Sequence, residues 1–438
     1  MFTKKTIRDI NVKHKRVLIR ADYNVPVATD GSISDDYRIK QSVPTIKYLL
    51  EHDSKVIICS HLGRPNGKPD PKLSLKPIAK RLSELMKQEV QFADDCIGNE
   101  AEAMADKLTA GQILLLENLR FHPEEEQNDK GFAKQLAKLA EVFVEDGFGV
   151  VHRAHASTEA ITHYLPSVAG LLLEREVDVI TNVIRSPKRP LVAIIGGAKI
   201  ADKIDVLNTF IDLADIVAIG GAMANTFLLA EGLPLARSMA EPDAIPVAKT
   251  ILKKARAKAK SQDFVFYLPQ DAVVAHKIDK TAPTRIVDWS AHVIADIENY
   301  PKLPPATGRH IAKDEMILDI GPFSGAFIAG SLQLASTVIW NGTMGVTETP
   351  GLHGPIGPFA HGTELIIEAI LGQFGHRPFS LVGGGDTVGY VENRKLTESF
   401  DHVSTGGGAS LELMAGRKLP GVDALLDKSA TNDYTKEV

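Results

Sequence analysis

Short apolar, β-branched runs recur from one end of this chain to the other, and stretches of helical period separate them. In the first half the runs are RVLIR (16–20), KVIIC (55–59), ILLLE (113–117) and VFVE (142–145). In the second half they are LVAII (191–195), DIVAIG (215–220), FVFYL (264–268), MILD (316–319), TVIW (337–340) and FSLV (379–382). They are too short for helices and too uniformly apolar for strands with one wet face, so they read as strands of a parallel sheet covered on both sides. Helical spacing fills 77–88, 134–141, 204–213, 246–259 and 364–371. Strand alternating with helix predicts βαβ units with right-handed crossovers, and places ligand loops at the carboxyl ends of the strands.

The period over 168–186 predicts one long helix, stopped by Pro187 and Pro190. It falls between the two sets of strands and reads as a connector between two α/β domains. The Pro- and His-containing stretch 288–314 breaks the alternation and reads as a surface insertion, and the polar end after 426 as a frayed tail. Composition narrows the class. With 44% hydrophobic and 24% charged residues among 438, the chain is expected to fold as more than one domain rather than remain disordered. Aromatics at 6% argue against a nucleic-acid stacking platform, and a net charge of −5 gives no global field that recruits nucleic acid or anionic lipid. The two cysteines, Cys59 and Cys96, have no zinc-site spacing and make no disulfide framework, which points to a reducing compartment. The N-terminus lacks an apolar signal segment and no run is long enough to span a bilayer, so a cytoplasmic protein is expected.

The ends of the N-terminal strands share a pattern. RVLIR runs into Asp22-Tyr23-Asn24, KVIIC into His61-Leu62-Gly63-Arg64, ILLLE into Arg120, and VFVE into His152, Arg153 and His155; Arg38 lies in the loop and helix after the first run. Four arginines and three histidines thus gather at one sheet edge. A single arginine is usually a solvated surface charge, but several on successive strand ends predict planar, bidentate recognition of a small ligand bearing carboxylate and phosphate. His61 alone is better read as a hydrogen-bonded structural histidine than as a base.

The C-terminal half carries glycine turns instead. GGAKIADK places Lys199 and Lys203 four residues apart, on one face if a helix begins there. Gly383-Gly384-Gly385-Asp386-Thr387 follows FSLV, and Gly406-Gly407-Gly408 follows Ser404-Thr405. One such turn is as often a tight connection as a site; three in one domain predict a phosphate cradle of free N–H groups, with Asp386 placed to hold Mg²⁺. Asn341 and Glu348 follow TVIW, where an acidic residue suits ribose hydroxyls. The chain has no Walker A spacing, no dinucleotide fingerprint after the first strand and no Gly-x-Ser-x-Gly elbow. An anion patch on one domain and a phosphate site on another suit phosphoryl transfer, which depends on positioning, charge neutralisation and exclusion of water.

Taken in order, RVLIRADYNVPV, SHLGRP, ENLRFHPEEE, FGVVHRAHAST, GGAKIADKI, WNGTMGV, GGGDT and HVSTGGGASLELMAGRKLPGVDAL resemble phosphoglycerate kinase over nearly the whole chain. The resemblance implies two doubly wound parallel-sheet, Rossmann-like domains joined by a connecting helix, with a hinge and a cleft between them. The expected boundaries are 1–170, a connecting helix 171–186, and 187–409, with the tail from about 410 packing back on the first domain. It implies transfer between the acyl phosphate of 1,3-bisphosphoglycerate and Mg-ADP in glycolysis. Asp22, Tyr23, Asn24, Arg38, His61, Leu62, Gly63, Arg64, Arg120 and Arg153 are then expected to bind phosphoglycerate. Lys199, Lys203, Asn341, Glu348, Gly384, Gly385, Asp386 and Thr387 are expected to bind the nucleotide, with Asp386 on Mg²⁺. Arg38, Lys199 and the N–H groups at Gly385 and Gly407 are expected to stabilise the transferred group. The implied partners are small molecules, and the implied state is a monomer.

Gly147, Val150 and Val151 stand where Ala, Thr and Ala are usual, and Thr343, Met344 and Thr347 where Pro, Val and Phe are; insertions follow Val287 and Thr349. Two rival readings are weaker. A two-domain solute-binding protein calls for an export signal and no triple-glycine turns, and a dehydrogenase calls for the missing dinucleotide fingerprint.

Overall fold

The structure is a computed structural model; it describes residues 2–28, 30–289 and 310–429, with Asp202 described by its backbone alone. In chain order the strands are β1 (Arg16–Arg20), β2 (Lys55–Cys59), β3 (Val90–Ala93), β4 (Ile113–Leu116), β5 (Val142–Glu145), β6 (Ser167–Ala169), β7 (Leu191–Ile195), β8 (Ile216–Ile219) and β9 (Val265–Tyr267). They continue as β10 (Asp271–Ala275), β11 (Arg285–Asp288), β12 (Met316–Ile320), β13 (Thr337–Asn341), β14 (Phe379–Gly383) and β15 (His402–Val403). Two compact units result, one of Met1–Asn182 with Gly408–Val438, the other of Val183–Gly407.

The first unit is built on a six-stranded sheet of order β3-β4-β2-β1-β5-β6, parallel throughout. The central strands are buried almost end to end, as uniformly apolar runs require. One core face gathers Val17, Ile19, Ile58 and Leu115, the other Leu18, Ile57, Leu114 and Phe143. The C-terminal segment belongs to this unit: the Lys5 N–H donates to the Leu426 carbonyl at 2.7 Å, and the Leu426 N–H to the Ser167 carbonyl at 3.0 Å.

The second unit has a parallel six-stranded sheet, β15-β14-β13-β7-β8-β9, and a separate three-stranded sheet, β11-β10-β12. The 316–319 run therefore does not join the parallel sheet as its composition predicts. It pairs antiparallel with β10 and is only half-buried at its start. Of the stretch read as an insertion, Asp288 closes β11, while 290–309 lie outside the described residues, as do those after 429.

The helices are α1 (Tyr37–Glu51), α2 (Lys76–Met86), α3 (Gly98–Lys107), α4 (Lys130–Ala137), α5 (Leu171–Arg185), α6 (Ile204–Leu213), α7 (Gly221–Ala230) and α8 (Ile245–Ala259). After these come α9 (Pro322–Leu332), α10 (His361–Ile370), α11 (Gly385–Asn393), α12 (Gly407–Met414) and α13 (Pro420–Asp423). Two depart from the spacing argument. The period at 134–141 belongs to α4, which starts earlier because the Asp129 carboxylate accepts the Phe132 N–H at 2.8 Å. The helix expected from 168 begins at Leu171, because 167–169 pair with β5 as β6. Its first turn is held by Asp146, whose Oδ1 accepts the Leu172 and Leu173 N–H groups at 2.9 and 3.2 Å. Gly170 makes room for that carboxylate, since a Cβ there would lie 2.1 Å from Oδ1.

Candidate active site

In the first unit the strand ends place the expected residues on one edge. Arg38 donates to the Asn24 carbonyl at 3.0 Å and to Asp22 Oδ2 at 3.3 Å. Asn24 Oδ1 accepts the Gly63 N–H at 2.9 Å, and Arg120 donates to the Gly63 carbonyl at 2.8 Å. These bonds fix the turn at Gly63, which has φ +62°. Arg64 and Arg153 are exposed beside it, Arg38 is half-buried, and Arg120 is buried with Glu126 3.1 Å from its Nε.

His61 lies beneath this surface. Burial, then the guanidinium groups of Arg20, Arg120 and Arg38, hold its pKa well below the usual range, so the ring is neutral. Burial and Arg153 likewise bring His152 to about 4, and burial with Arg20 and Arg120 brings His155 to about 4. The positive charge of this edge is therefore carried by arginines and not by imidazolium groups. The side chains of Tyr23 and Leu62 are buried in the core, and the Tyr23 hydroxyl meets Ser42 at 2.9 Å. Only their backbones border the edge, and the Tyr23 N–H already donates to Ser60.

Sequence reasoning assigned nothing to Arg20, the last residue of β1. It is buried, and it donates to Ser157 Oγ at 2.8 Å and to the Ala21 carbonyl at 2.5 Å, with Nη2 3.3 Å from His61 Nδ1. Glu125 and Glu145, both buried, share its field. An arginine ending an apolar strand carries no local sign of facing inward, so only the three-dimensional packing identifies it.

In the second unit the glycine turns meet at the carboxyl ends of β7, β13 and β14. A Cβ on Gly196 would lie 2.1 Å from the Thr343 carbonyl oxygen, and one on Gly342 2.3 Å from the Gly196 carbonyl, so the two turns touch through backbone alone. Gly384, at φ +93°, precedes α11, whose first turn carries Asp386 on the surface. Gly407 opens α12, close enough that its Cβ would lie 3.1 Å from the Gly385 nitrogen. Thr387 is buried and accepts the Gly342 N–H at 2.7 Å.

The two lysines separate in role. The chain turns through a 3-10 segment at Ala201–Lys203 and α6 begins only at Ile204, so Lys199 and Lys203 do not share a helix face. Lys199 is exposed, whereas Lys203 donates to the Gly196 carbonyl at 2.6 Å and Asn341 Oδ1 at 2.8 Å. Asn341 is buried, and its Nδ2 has no hydrogen-bond partner among the described residues. A donor in that state beside a glycine turn fits an absent anionic oxygen. A cavity of about 300 Å³ adjoins these turns, lined among others by Gly197, Trp289, Met344, Glu348 and Asp386. Met344, one of the departures noted above, packs against Gly220, where a Cβ would lie 2.2 Å from its sulfur.

Comparison with known proteins settles the family. The phosphoglycerate kinase model matches residues 7–417. The chain belongs to the phosphoglycerate kinase family. The phosphoglycerate kinase of Moorella thermoacetica is 45% identical over 425 residues, covering 97% of this chain and 100% of the relative. That of Chloroflexus aggregans is 47% identical, with 97% and 99% covered. Among solved structures, the phosphoglycerate kinase of Coxiella burnetii aligns with TM-score 0.77 at 33% identity over 96% of this chain and 98% of that one. The enzyme from Pyrococcus horikoshii aligns with TM-score 0.78 at 29% identity over 97% and 98%. The chain is thus a phosphotransferase of glycolysis, moving a phosphoryl group reversibly from the acyl phosphate of 1,3-bisphosphoglycerate to ADP, with 3-phosphoglycerate and ATP as products. Among the described residues, no helix is long and apolar enough to cross a membrane.

Proposed function

We propose that the arginine edge of the first unit holds phosphoglycerate and that the glycine turns of the second hold the Mg-nucleotide. The observation that carries this reading is the cluster around His61. A neutral imidazole flanked by Arg20, Arg38 and Arg120 suits an anion whose charge must be met by fixed cations. Arg64 and Arg153, exposed on the same edge, have room to turn onto carboxylate or phosphate oxygens. In the second unit, the N–H groups at Gly384, Gly385 and Gly407 and the orphan Asn341 amide face the nucleotide phosphates.

Mg²⁺ enters with the nucleotide as substrate. The exposed Asp386 carboxylate in the first turn of α11 offers a hard oxygen ligand of the kind that ion takes, together with phosphate oxygens. Glu348, on the same cavity, is assigned to the ribose hydroxyls. Lys203 acts through Asn341 and the Gly196 turn, holding them in place, while the exposed Lys199 supplies charge to the transferred group. The loose transition state spreads charge over three equatorial oxygens, so Arg38, Lys199 and the glycine N–H groups stabilise it more than either ground state. Transfer requires both sites to act on one phosphoryl group.

Replacing Arg38 by Ala is expected to lower kcat by about a hundredfold or more while changing KM for phosphoglycerate by much less. Steady-state kinetics in both directions tests this. A variant with near wild-type turnover and only a raised KM removes Arg38 from the transition state.

A further inference from the structure

Away from this site, the first unit assembles a side-chain cluster that phosphoryl transfer does not use. Asp95 and Cys96 lie in the turn between β3 and α3, and His122 follows the 3-10 turn at Leu119–Phe121, just after β4. β3 and β4 are paired neighbours, with Ala93 opposite Leu116, which brings the two turns together. The carboxylate, thiol and imidazole donor atoms all lie within 4.8 Å of one another. Among the described residues no other group of His, Cys, Asp and Glu brings three donors so close. Cys96 is fully buried, whereas Asp95 and His122 border an open groove of about 950 Å³. The His122 ring packs against Phe132 at 5.3 Å between centroids, which restrains its plane.

We propose that Asp95, Cys96 and His122 form a binding site for a borderline-soft divalent cation of the zinc type. A mixed set of one oxygen, one nitrogen and one sulfur matches the ligands zinc accepts. It does not match Mg²⁺, which takes oxygen ligands in a near-octahedral shell, so the metal of the kinase reaction does not compete. Tetrahedral zinc with bonds of about 2.0–2.3 Å needs donor separations of about 3.3–3.8 Å. The His122 Nε2 to Asp95 Oδ1 distance is 2.7 Å, so that pair opens by less than about 1 Å to admit the ion.

Charge also balances. The Cys96 thiol gives one proton to solvent as the sulfur–metal bond forms, and the hydrogen bond between His122 and Asp95 is exchanged for two metal bonds. Carboxylate and thiolate together cancel the charge of a divalent ion, with His122 neutral. The fourth position faces the groove and takes water. The ion would tie the turn after β3 to the segment that carries Arg120.

Titration of the whole enzyme with Co²⁺, in excess Mg²⁺, tests the site. One equivalent is expected to bind and give a sulfur-to-cobalt charge-transfer band in the near ultraviolet, which Zn²⁺ then abolishes by displacement. Cys96→Ser is expected to remove the band, and Cys59→Ser to leave it. His122→Ala changes a partly exposed side chain and so keeps the core closed; it is expected to weaken Co²⁺ binding at least about tenfold. Absence of the band in the wild-type enzyme, its survival in Cys96→Ser, or unchanged affinity in His122→Ala each overturns the proposal and leaves a plain ion pair beside a core cysteine.

Discussion

Replacing Arg20 by Met tests whether this buried cation sustains the substrate edge of the first unit. Methionine keeps most of the volume and the flexible stem, so little cavity opens. What is lost is the hydrogen bond to Ser157, the one to Ala21, the contact with His61 and the charge 4.0 Å from Glu125. Glu125 and Glu145 are both fully buried, and Glu145 Oε2 has no hydrogen-bond partner among the described residues. Burial already raises the pKa of both, and Arg20 lowers it. Removing one partner of such a group costs about 3–5 kcal/mol, a large fraction of typical domain stability. The sign with pH follows from linkage. Without Arg20 the two carboxyls hold protons in the folded state to still higher pH, while the unfolded chain releases them near 4.5. The folded state then binds more protons across that window, so the variant gains stability as pH falls from about 7 to about 5.5 and its deficit narrows. Both tryptophans, Trp289 and Trp340, lie in the second unit, so native-state hydrogen exchange at the β1 and β5 amides is the assay of choice. A loss under about 1 kcal/mol at neutral pH, or the same loss at both pH values, refutes the argument. So does failure of Arg20→Met/Glu125→Gln to recover stability relative to Arg20→Met.

Four further outcomes are expected. Asp386→Ala should raise the Mg²⁺ concentration needed for half-maximal turnover at least about tenfold, read from Mg²⁺ titrations at fixed nucleotide. Lys203→Met should cost about 1.5–3 kcal/mol by freeing the Gly196 carbonyl and Asn341 Oδ1, and should raise KM for ADP, measured by urea denaturation and kinetics. Gly196→Ala should abolish nucleotide binding in calorimetry, because its Cβ at 2.1 Å from the Thr343 oxygen forces the two turns apart. His155 titrates near 4 folded against 6.5 unfolded, so it withdraws stability as pH falls through that window; His155→Asn should flatten the acid limb of the stability profile by about 1–2 kcal/mol, less than the full shift because the ring keeps some solvent.

The parallel sheets were legible because buried strands need continuous apolar runs, and RVLIR, KVIIC and TVIW have no other economical use. The same logic misplaced 316–319. An apolar run of that length carries no sign of its partner's direction, and only pairing with β10 reveals a separate antiparallel sheet. Helix α9 was hidden because apolar residues surround it on every side and leave no period. At the site, Arg38, Arg120 and Arg153 were readable from their positions after strands. Arg20 was not, since period alone does not say that a strand-terminal arginine turns inward. Asp95, Cys96 and His122 were invisible for another reason: they meet only because β3 lies beside β4, an adjacency no spacing encodes.

Net charge makes the anionic substrates of this chain a problem that local placement has to solve. The chain carries −5, yet both substrates are highly anionic. Several strand-end acids are turned inward as acceptors for helix N-termini: Asp146 for α5, Asp271 for the Phe323 and Ser324 N–H groups of α9, and Asp319 for Gly362 of α10. Burial lifts Asp146 to about 7 and Asp319 to about 8, so at neutral pH Asp319 is mostly protonated and Asp146 about half so, while both still accept hydrogen bonds. Arg64 and Arg153 remain exposed after β2 and β5, and Lys199 after β7. In the first unit the exposed Arg64 and Arg153 thereby leave a cationic rim within an acidic molecule, its sign set by which groups are buried and not by composition. Making one of the buried acids permanently neutral, as in Asp319→Asn, should accordingly change nucleotide affinity little at pH 6 and more at pH 9, where the wild-type carboxyl is ionised. Equal affinity ratios at both pH values contradict this account.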